Sequence, residues 1–365
     1  MNGLFLNNKK AKDSIFESGQ MVYQCLSLSN RFTLDYIEVD IDNRSIPGGY
    51  DFYFFNYHPV TMNWLDTSAL RKQLGFCITM VLEVAPNDPF VYCSSTDFDA
   101  YCVLDPTVKS KSKKVFAFPR PLEKIDFALP VVENEIPVIG SFGFATKGKG
   151  FQHVVEAVNK EFERAVIKIN IPYGDFVPDS KEYAFFLSNL CKQRAKDGIE
   201  VSVTHDFMDK ADLIKWCASN TLNCFLYDRN VPGLAATTDQ AIVSGRPLSV
   251  SDNDTFRHIT QYLRPYPAMS LKDSVTKSIP IIKKIQEAWS PENFARKFEE
   301  VLEANKQSFS GKARSTAASY ELPIKQKSVL DLIQRRYKKY KRKLGKLNFG
   351  ILSGYHDSKR KKEVI

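Results

Sequence analysis

The chain contains 365 residues, of which 43% are hydrophobic and 25% are charged, and it carries a formal net charge of +9. Hydrophobic cores tend to split beyond roughly 250–300 residues, so this length predicts two domains, and the composition excludes a wholly disordered chain. No apolar run reaches the roughly 18 residues that span a bilayer, and the first residues lack the pattern of a signal peptide. We therefore expect a cytoplasmic protein.

The cysteines lie mostly in apolar runs, and no two of them form a CxxC pair. Their odd number and apolar surroundings predict buried, reduced thiols in a reducing compartment. No close set of Cys and His residues predicts a zinc site. The seven residues are Cys25, Cys77, Cys93, Cys102, Cys191, Cys217 and Cys224.

Strands and helices alternate through the first third of the chain. The apolar patterns predict, in chain order, a strand over 4–7, a helix over 12–29, strands over 32–39 and 51–57, a helix over 65–74, and strands over 76–84 and 115–118. Strands interleaved with helices favour parallel βαβ units in a sheet that is covered on both faces. Residues 123–137 have a weak pattern and two prolines, which predicts a linker.

The alternation restarts after this linker. The patterns predict strands over 137–142, 165–171, 199–204, 222–227 and 247–250, with helices over 151–162, 180–195, 210–218, 237–244, 270–288 and 291–305. We therefore predict an α/β protein with two Rossmann-like domains, 1–125 and 137–305, facing a cleft, and a C-terminal extension over 306–365. Ligands of such sheets bind outside the carboxyl ends of the strands, so the loops after the strands are the places to seek a site.

A loop rich in glycine and lysine follows the first strand of the second half, over 140–151. Gly143 and two later glycines let the backbone approach a ligand closely. The start of the next helix, together with Lys147 and Lys149, suits a phosphate or diphosphate. An ordinary glycine-rich turn with solvated lysines explains the same spacing, and the residues alone leave both readings open.

A second polar segment, 228–247, follows an apolar strand and contains Arg229, a further candidate contact for a bound nucleotide. The next helix opens with Thr238 and Asp239 in its first turn. Their hydroxyl and carboxylate groups suit hydrogen bonds to a ribose or sugar. They are also good helix caps, and capping alone is the alternative.

These two segments together resemble the donor-binding half of GT-B glycosyltransferases, especially glycosyltransferase family 4. Lys149-Gly150 matches the family's Lys-Gly before a helix, and Gly245-Arg246-Pro247 matches its Gly-x-Pro before a strand. The segment 290–294 and the helix after it are similar to the family's closing helix. The resemblance covers 137–305 well and 4–121 more weakly.

The resemblance implies a retaining transfer from a nucleotide sugar to a saccharide or lipid-linked acceptor, with no metal and no other cofactor. Lys149 would neutralise the donor diphosphate, and Asp239 would contact the ribose or sugar and take part in catalysis. Gly19, at the start of the first helix, would face the diphosphate across the cleft. A role in surface-glycan synthesis follows from the same resemblance.

The sequence also departs from the family pattern. The family carries two glutamates separated by seven residues, whereas alignment on Gly245 places Gln240 at the second and Pro232 near the first. A family histidine at the end of a strand corresponds here to Leu82 or Glu83. A GT-B protein that binds a sugar or nucleotide without turning it over is therefore the alternative function.

Three further side chains lie at or just beyond the carboxyl ends of predicted strands. His58 and Glu83 are candidate acceptor contacts, and Glu83 is also a candidate catalytic group, because a carboxylate at a strand end in a cleft is suited to acid–base work. His205 is a candidate contact for the nucleotide. The alternative for either histidine is a structural role with its ring hydrogen-bonded locally.

The basic residues concentrate at the C-terminus. Residues 325–365 carry a net charge of +11, which leaves −2 for the rest of the chain. The segment 328–347 has helical apolar spacing with Lys and Arg between. A basic amphipathic helix of this kind suits an anionic membrane surface, so the tail Lys325–Lys346 would make the protein peripheral at the inner membrane surface. Packing on the body and a protein or nucleic-acid partner are alternatives, with nucleic acid disfavoured by the nearly neutral body.

Overall fold

The computed structural model describes residues 1–9, 14–82, 84, 97–130, 133–174, 179–229, 233–311 and 318–325. Glu83 and the basic segment 328–347 lie outside these residues. Within them the chain forms two parallel sheets and one small two-stranded sheet. We call each parallel sheet, with the helices packed on it, a lobe.

The first lobe contains strands β1 (Asn2–Asn8), β2 (Thr33–Val39), β4 (Phe52–Phe55), β5 (Phe76–Val81), β6 (Ala100–Val103) and β7 (Val115–Ala117), with helices α1 (Ser14–Leu26) and α2 (Thr67–Gln73). These strands are parallel in the order β2-β1-β4-β5-β6-β7. Every side chain of β4 is buried, as expected for a central parallel strand. The order reverses between β1 and β4, which opens a crevice at their carboxyl ends.

The second lobe contains strands β8 (Val138–Phe142), β9 (Ala165–Asn170), β10 (Ile199–Thr204), β11 (Leu222–Phe225) and β12 (Leu248–Val250). Its helices include α3 (Phe151–Glu161), α4 (Ser180–Arg194), α5 (Lys210–Ala218) and α6 (Thr237–Val243). The strands are parallel in the order β10-β9-β8-β11-β12. The switch point of this sheet therefore lies between β8 and β11.

The remaining helices follow the second sheet. They are a 3₁₀ turn (Asp254–Phe256), α7 (Arg257–Thr260), α8 (Leu271–Lys277), α9 (Ile279–Ala288), α10 (Pro291–Ala304) and α11 (Lys306–Gly311). The single helix predicted over 270–288 is two helices, because Pro280 lacks an N–H and fits only the first turn of a helix. The fully buried Ser278 separates them, and its hydroxyl donates to the Ser274 carbonyl over 2.5 Å.

Helix α10 packs on the first lobe although it follows the second lobe in the chain. The ring of Phe298 lies 5.5 Å from that of Phe32 and 5.3 Å from that of Phe54, centroid to centroid. The predicted second domain, 137–305, thus ends with a helix whose apolar face lies in the core of the first sheet. The chain therefore crosses between the lobes twice, once at the predicted linker and once before Pro291.

The described part of the C-terminal extension also lies on the first lobe. Strand β13 (Ser319–Glu321) pairs antiparallel with β3 (Ser45–Pro47), an edge segment outside the large sheet. Leu65 and Ile324 form a further bridge. The last described residue, Lys325, therefore lies on the first lobe, where its N–H donates to the Trp64 carbonyl over 2.7 Å. None of the helices in the described ranges is long and apolar enough to cross a membrane.

Two nearly buried ion pairs join the lobes. Arg257, on α7, donates from Nε to Asp105 Oδ2 over 2.8 Å and from Nη2 to the Val84 carbonyl over 3.0 Å. The side chains of Arg257 and Asp105 are only 15% and 3% exposed. The second pair, Arg120 with Asp239, lies nearer the candidate site. Together they hold the carboxyl edges of the two sheets facing one another.

Candidate functional site

Two loops meet at the carboxyl ends of β8 and β11, where the order of the second sheet reverses. Gly143 begins the loop after β8, and its N–H donates to the Asn170 carbonyl over 3.1 Å. Further along this loop, the Gly148 carbonyl accepts from the Asp228 N–H, also over 3.1 Å. Because this second bond joins the two loops, the residues beside it are held together at the switch point.

Gly150 lets α3 begin against the neighbouring strand. Its φ of +65° lies in the left-handed region, where a side chain is strained. A Cβ atom at this position would lie 1.8 Å from the Leu226 carbonyl oxygen, just beyond β11. The unpaired N–H groups at the start of α3 are therefore presented at the same edge of the sheet as the two loops.

Two cations lie against one buried tyrosine ring at this junction. Lys149 Nζ donates to the Tyr227 hydroxyl over 2.9 Å and lies 4.5 Å from its ring centroid. Arg229 Cζ lies 5.4 Å from the same centroid. The Tyr227 hydroxyl also contacts Thr237 Oγ1 at 3.1 Å, at the start of α6. We call Lys149, Tyr227, Arg229 and Thr237 the Tyr227 cluster.

In the part of the chain that the structure describes, the positive charge of this cluster is not paired with a carboxylate. Among the ion pairs of the described residues, none within 4.0 Å involves Lys149 or Arg229. Arg229 Nε is buried and has no hydrogen-bond partner. Lys147 is exposed on the same loop and adds a third positive charge nearby. A junction of two cations and a helix start is suited to an anion such as a diphosphate.

Asp239 faces the first lobe. Arg120 Nε donates to its Oδ2 over 2.8 Å, and both side chains are 12% exposed. Burial raises the pKa of the Asp239 carboxyl above its usual value, and the nearby Arg120 opposes that rise. Its other oxygen, Oδ1, is buried without a partner. Asp239 is thus held by an arginine that the sequence patterns did not single out.

A cavity of about 110 Å³ lies beside this ion pair, between the lobes. Ser18 on α1, Lys210 on α5 and Gln240 on α6 contribute to its walls together with Arg120 and Asp239. A larger groove of about 330 Å³ shares Lys210 and runs along α1 toward the residues before α10. The space between the lobes is therefore polar and charged where Asp239 reaches it.

Thr238 does not reach this space. The residue is fully buried, and its hydroxyl donates to the Ala235 carbonyl over 2.9 Å. The same oxygen contacts His258 Nε2 at 3.1 Å. Its hydrogen-bonding capacity is used within the fold and not in the cleft. The N-cap position of α6 is Ala236, which makes no side-chain cap hydrogen bond, so the capping role of the alternative interpretation is not observed for Thr238 either.

Gly19 also has a different place from the one predicted. It lies inside α1, one and a half turns from the helix start, and not at the helix start itself. A Cβ atom there would lie 2.3 Å from Asn56 Nδ2 and 2.4 Å from Asn7 Oδ1. Gly19 lets α1 approach β1 and β4 closely, and it faces the sheet, so it does not reach a diphosphate across the cleft.

The two candidate histidines have local partners. His205 Nδ1 lies 2.8 Å from the Ile171 carbonyl, and its ring stacks on that of Tyr173 with centroids 5.1 Å apart. His58 Nδ1 accepts from the Val60 N–H over 3.3 Å. Both contacts are of the structural kind given as the alternative. The structure thus brings Gly143, Lys149 and Arg229 together, with Asp239 facing the cleft beyond them.

Sequence patterns missed several polar residues around this site. Tyr227 ends an apolar predicted strand, so the pattern predicts a core residue there. Arg120 precedes the linker and belongs to no recognisable motif. His153, in the first turn of α3, binds Asp228 in the loop after β11. A histidine near the start of a helix carries no signal for such a contact, because its partner is 75 residues away.

The thiols of the described residues are all buried and free. They belong to Cys25, Cys77, Cys102, Cys191, Cys217 and Cys224. Burial raises the pKa of the Cys25 thiol to about 12, which keeps it protonated and unreactive. Within the same ranges no group of three His, Cys, Asp or Glu side chains is arranged to hold a metal ion.

No family model and no curated protein matches this chain in sequence. Solved structures do match its fold. HepE from Anabaena, determined with UDP and glucose, has a TM-score of 0.54 at 9% identity, over 83% of this chain and 100% of that one. A glycosyltransferase from Rickettsia africae has a TM-score of 0.57 at 13% identity, over 84% and 98% of the two chains.

Sucrose-phosphate synthase from Thermosynechococcus elongatus gives a similar result, with a TM-score of 0.55 at 12% identity over 85% of this chain and 100% of that one. Identities this low establish the fold alone. The matched structures are built of two Rossmann-like domains. The two parallel sheets described above, with the cleft between them, form the same arrangement. The predicted fold class is confirmed: this chain has the GT-B fold.

Proposed function

We propose that this protein is a glycosyltransferase that moves a sugar from a nucleotide-sugar donor to a saccharide or lipid-linked acceptor. The observation that carries the proposal is the Tyr227 cluster, where Lys149 and Arg229 lie on one tyrosine ring at the switch point of the second sheet. Neither cation is in an ion pair with any carboxylate of the described residues. A diphosphate fits that place, because its charge complements two cations and a helix start.

The chemistry expected of the cluster is leaving-group stabilisation. When the bond between the sugar's anomeric carbon and the diphosphate oxygen breaks, negative charge develops on the diphosphate. Lys149 and Arg229 are already oriented by Tyr227, so they can stabilise that charge without rearranging. A matched structure was determined with UDP and another with UDP-2-fluoro glucose, which supports a nucleotide sugar as the donor.

The finer parts of the proposal rest on the family resemblance. They are a divergent place in glycosyltransferase family 4, retention of stereochemistry, independence from metals and other cofactors, and a role in surface-glycan synthesis. Cytoplasmic placement fits the buried free thiols. Contact of the basic segment Lys325–Lys346 with an anionic membrane would bring a lipid-linked acceptor to the first lobe, since the chain enters this segment from that lobe.

A second candidate is a GT-B protein that binds a sugar or nucleotide without transferring it. The pairing of Asp239 with Arg120 favours it, because that carboxylate is held in an ion pair between the lobes. Gln240, where the family carries a glutamate, favours it too. Both candidates share the diphosphate site and differ in turnover.

The test is calorimetric titration of the full chain with UDP, GDP, ADP and CMP, followed by their sugar conjugates. We expect one nucleoside diphosphate to bind, and Lys149→Ala to weaken it by roughly 10- to 100-fold, the loss of one charge-assisted contact. Lys160→Ala, at the exposed far end of α3, is the matched control and should bind like the wild type.

Slow hydrolysis of the bound sugar conjugate would support transfer, whereas tight binding with no turnover in the presence of sugar acceptors would favour the second candidate. Failure of every nucleotide to bind at millimolar concentration would overturn both. Equal affinity of Lys149→Ala and the wild type would overturn the assignment of the Tyr227 cluster as the diphosphate site.

A further inference from the structure

His153 bridges two carboxylates beside the Tyr227 cluster. Its Nε2 lies 3.1 Å from Asp228 Oδ2, and its Nδ1 lies 3.0 Å from Glu156 Oε2. The histidine side chain is 38% exposed and that of Asp228 is 54% exposed, so both can exchange protons with solvent. Both ring nitrogens face carboxylate oxygens, and only the doubly protonated imidazolium can donate to both.

The Asp228 side of this bridge belongs to the loop that carries the cluster. Asp228 stands between Tyr227 and Arg229 in the chain, and its N–H donates to the Gly148 carbonyl on the other loop. His153 lies one turn into α3, whose start is fixed by Gly150. The imidazole therefore ties the loop after β11 to the helix that follows the loop after β8.

We propose that protonated His153 is a positioning residue for the diphosphate site, an inference that rests on the proposed function. It holds Asp228 against α3, away from the bound anion, and neutralises its charge. Loss of the proton leaves one ring N–H for two carboxylates, so Asp228 must share it with Glu156. It also leaves the charge of Asp228 uncompensated next to Arg229. Affinity for a nucleoside diphosphate should then fall as the pH rises.

The groups facing His153 set the direction in which its pKa shifts. Glu156 lies on its own helix and is also paired with Arg194 at the end of α4. Tyr183 on α4 is near enough to Asp228 for that carboxylate to raise its phenol pKa further, after burial. Partial burial lowers the pKa of His153, but the hydrogen bonds and charges of Glu156 and Asp228 outweigh this, and the pKa is raised above its usual value.

The uncharged neighbour Gln152 also lies on this ring. Its amide nitrogen is placed 3.2 Å from His153 Nε2. The two ends of an amide are assigned from the hydrogen-bond pattern, and a protonated Nε2 would favour the amide oxygen there. Gln152 can therefore accept from a protonated His153 Nε2 or donate to an unprotonated one. The two carboxylates determine which protonation state of the ring is favoured.

The test is the Kd for UDP, or for whichever nucleoside diphosphate binds, measured by calorimetry between pH 7 and pH 9. This window lies above the titration of a terminal phosphate near 6 and below that of lysine and tyrosine near 10. We expect the wild-type Kd to rise about 5-fold across it, the size of one screened charge–charge interaction. Asp228→Asn should lose this slope and bind more tightly than the wild type at pH 9.

His153→Gln should bind with the wild type's high-pH affinity throughout and show no slope. Glu163→Gln, an exposed carboxylate beyond α3, is the control and should keep the slope. An NMR titration of the imidazole in the full chain reports its pKa directly. Nucleotide binding that is independent of pH in the wild type, or a slope retained in Asp228→Asn, would overturn the inference but not the proposed function. Absence of binding at every pH would overturn both.

Discussion

Arg120 and Asp239 stand 119 residues apart in the chain and share a 2.8 Å hydrogen bond between the two lobes. Each side chain is 12% exposed, so most of the charge of each is removed from water. A nearly buried pair of this kind contributes little net stability while intact, yet removal of one partner leaves a charge without compensation. The two residues are therefore expected to behave as a unit.

Arg120→Gln should lower the free energy of unfolding by about 3 kcal/mol, the usual effect of breaking a buried pair. Burial already raises the pKa of Asp239, so loss of Arg120 should let this carboxyl take up a proton more easily. The destabilisation should consequently be larger at pH 8 than at pH 6. Urea unfolding of the full chain at both pH values measures it.

The double variant Arg120→Gln, Asp239→Asn should recover much of that loss, because no unpaired charge remains. Lys124→Gln is the matched control. It removes one partner of an exposed pair between the linker and α10, with Glu292, whose side chains are 73% and 58% exposed, and we expect no measurable change. Additive effects of the two single substitutions would contradict the coupling.

Gly19→Ala separates the packing role of this glycine from the donor role predicted for it. Alanine favours a helix by about 1 kcal/mol, but its Cβ would press on Asn56 and Asn7, which already share a 2.7 Å hydrogen bond. Overpacking costs about 1–3 kcal/mol, so we expect a net loss in urea unfolding. UDP affinity should stay within about twofold of the wild type, since small packing shifts far from a ligand leave its contacts intact. A specific loss of nucleotide affinity with unchanged stability would restore the predicted role.

Phe298→Ala tests the assignment of α10 to the core of the first lobe. The residue is 1% exposed and packs against Phe32, Phe52 and Phe54. Truncation of a buried aromatic costs about 3–5 kcal/mol. Urea unfolding should show this loss, and hydrogen exchange should report it in the first sheet. Exchange that accelerates only in the second sheet would contradict the packing.

His258 should make the fold sensitive to acid. The ring is fully buried, stacks on Trp289 and leaves Nδ1 without a partner. Burial, with Arg120 and Arg257 nearby, lowers its pKa well below the usual value. The native state therefore excludes a proton that the unfolded chain binds below about pH 6.5, and stability should fall by up to about 1.4 kcal/mol per pH unit there.

Urea midpoints at pH 7.5 and pH 5.5 measure this effect. His258→Gln should lose less stability over the interval than the wild type, because glutamine does not titrate. An imidazole NMR titration of the wild type gives an independent reading when the variant folds poorly. A resonance for His258 that titrates near 6.5 in the native protein would contradict the assignment.

Local periodicity was enough to predict both sheets and the fold class, because strands and helices of parallel units each carry their own apolar pattern. It failed where pairing is distant or strands are short. The four-residue strand β6 lies between 84 and 115, where the apolar patterns predict no strand, and the three-residue strands β3 and β13 pair across the chain. None of these three strands has a local apolar pattern strong enough to predict it.

The candidate site shows the same division. Glycine and lysine spacing predicted the loop of Gly143 and Lys149, since a helix start after a strand is a local feature. Tyr227 and His153 act through partners on other loops, and Asp239 is held by Arg120 from before the linker. Such pairings depend on the tertiary fold. The family resemblance implied that Gly19 faces the cleft, and a sugar contact was one of two interpretations of Thr238, but the fold buries both residues.

The position of α10 has a consequence for the order of folding. A chain leaves the ribosome from its N-terminus and tends to fold domain by domain. Here the aromatic face formed by Phe32, Phe52 and Phe54 stays uncovered until Phe298 has been synthesised. The second lobe has all of its strands by then. We therefore expect the N-terminal lobe, although it is made first, to be the last to complete its core.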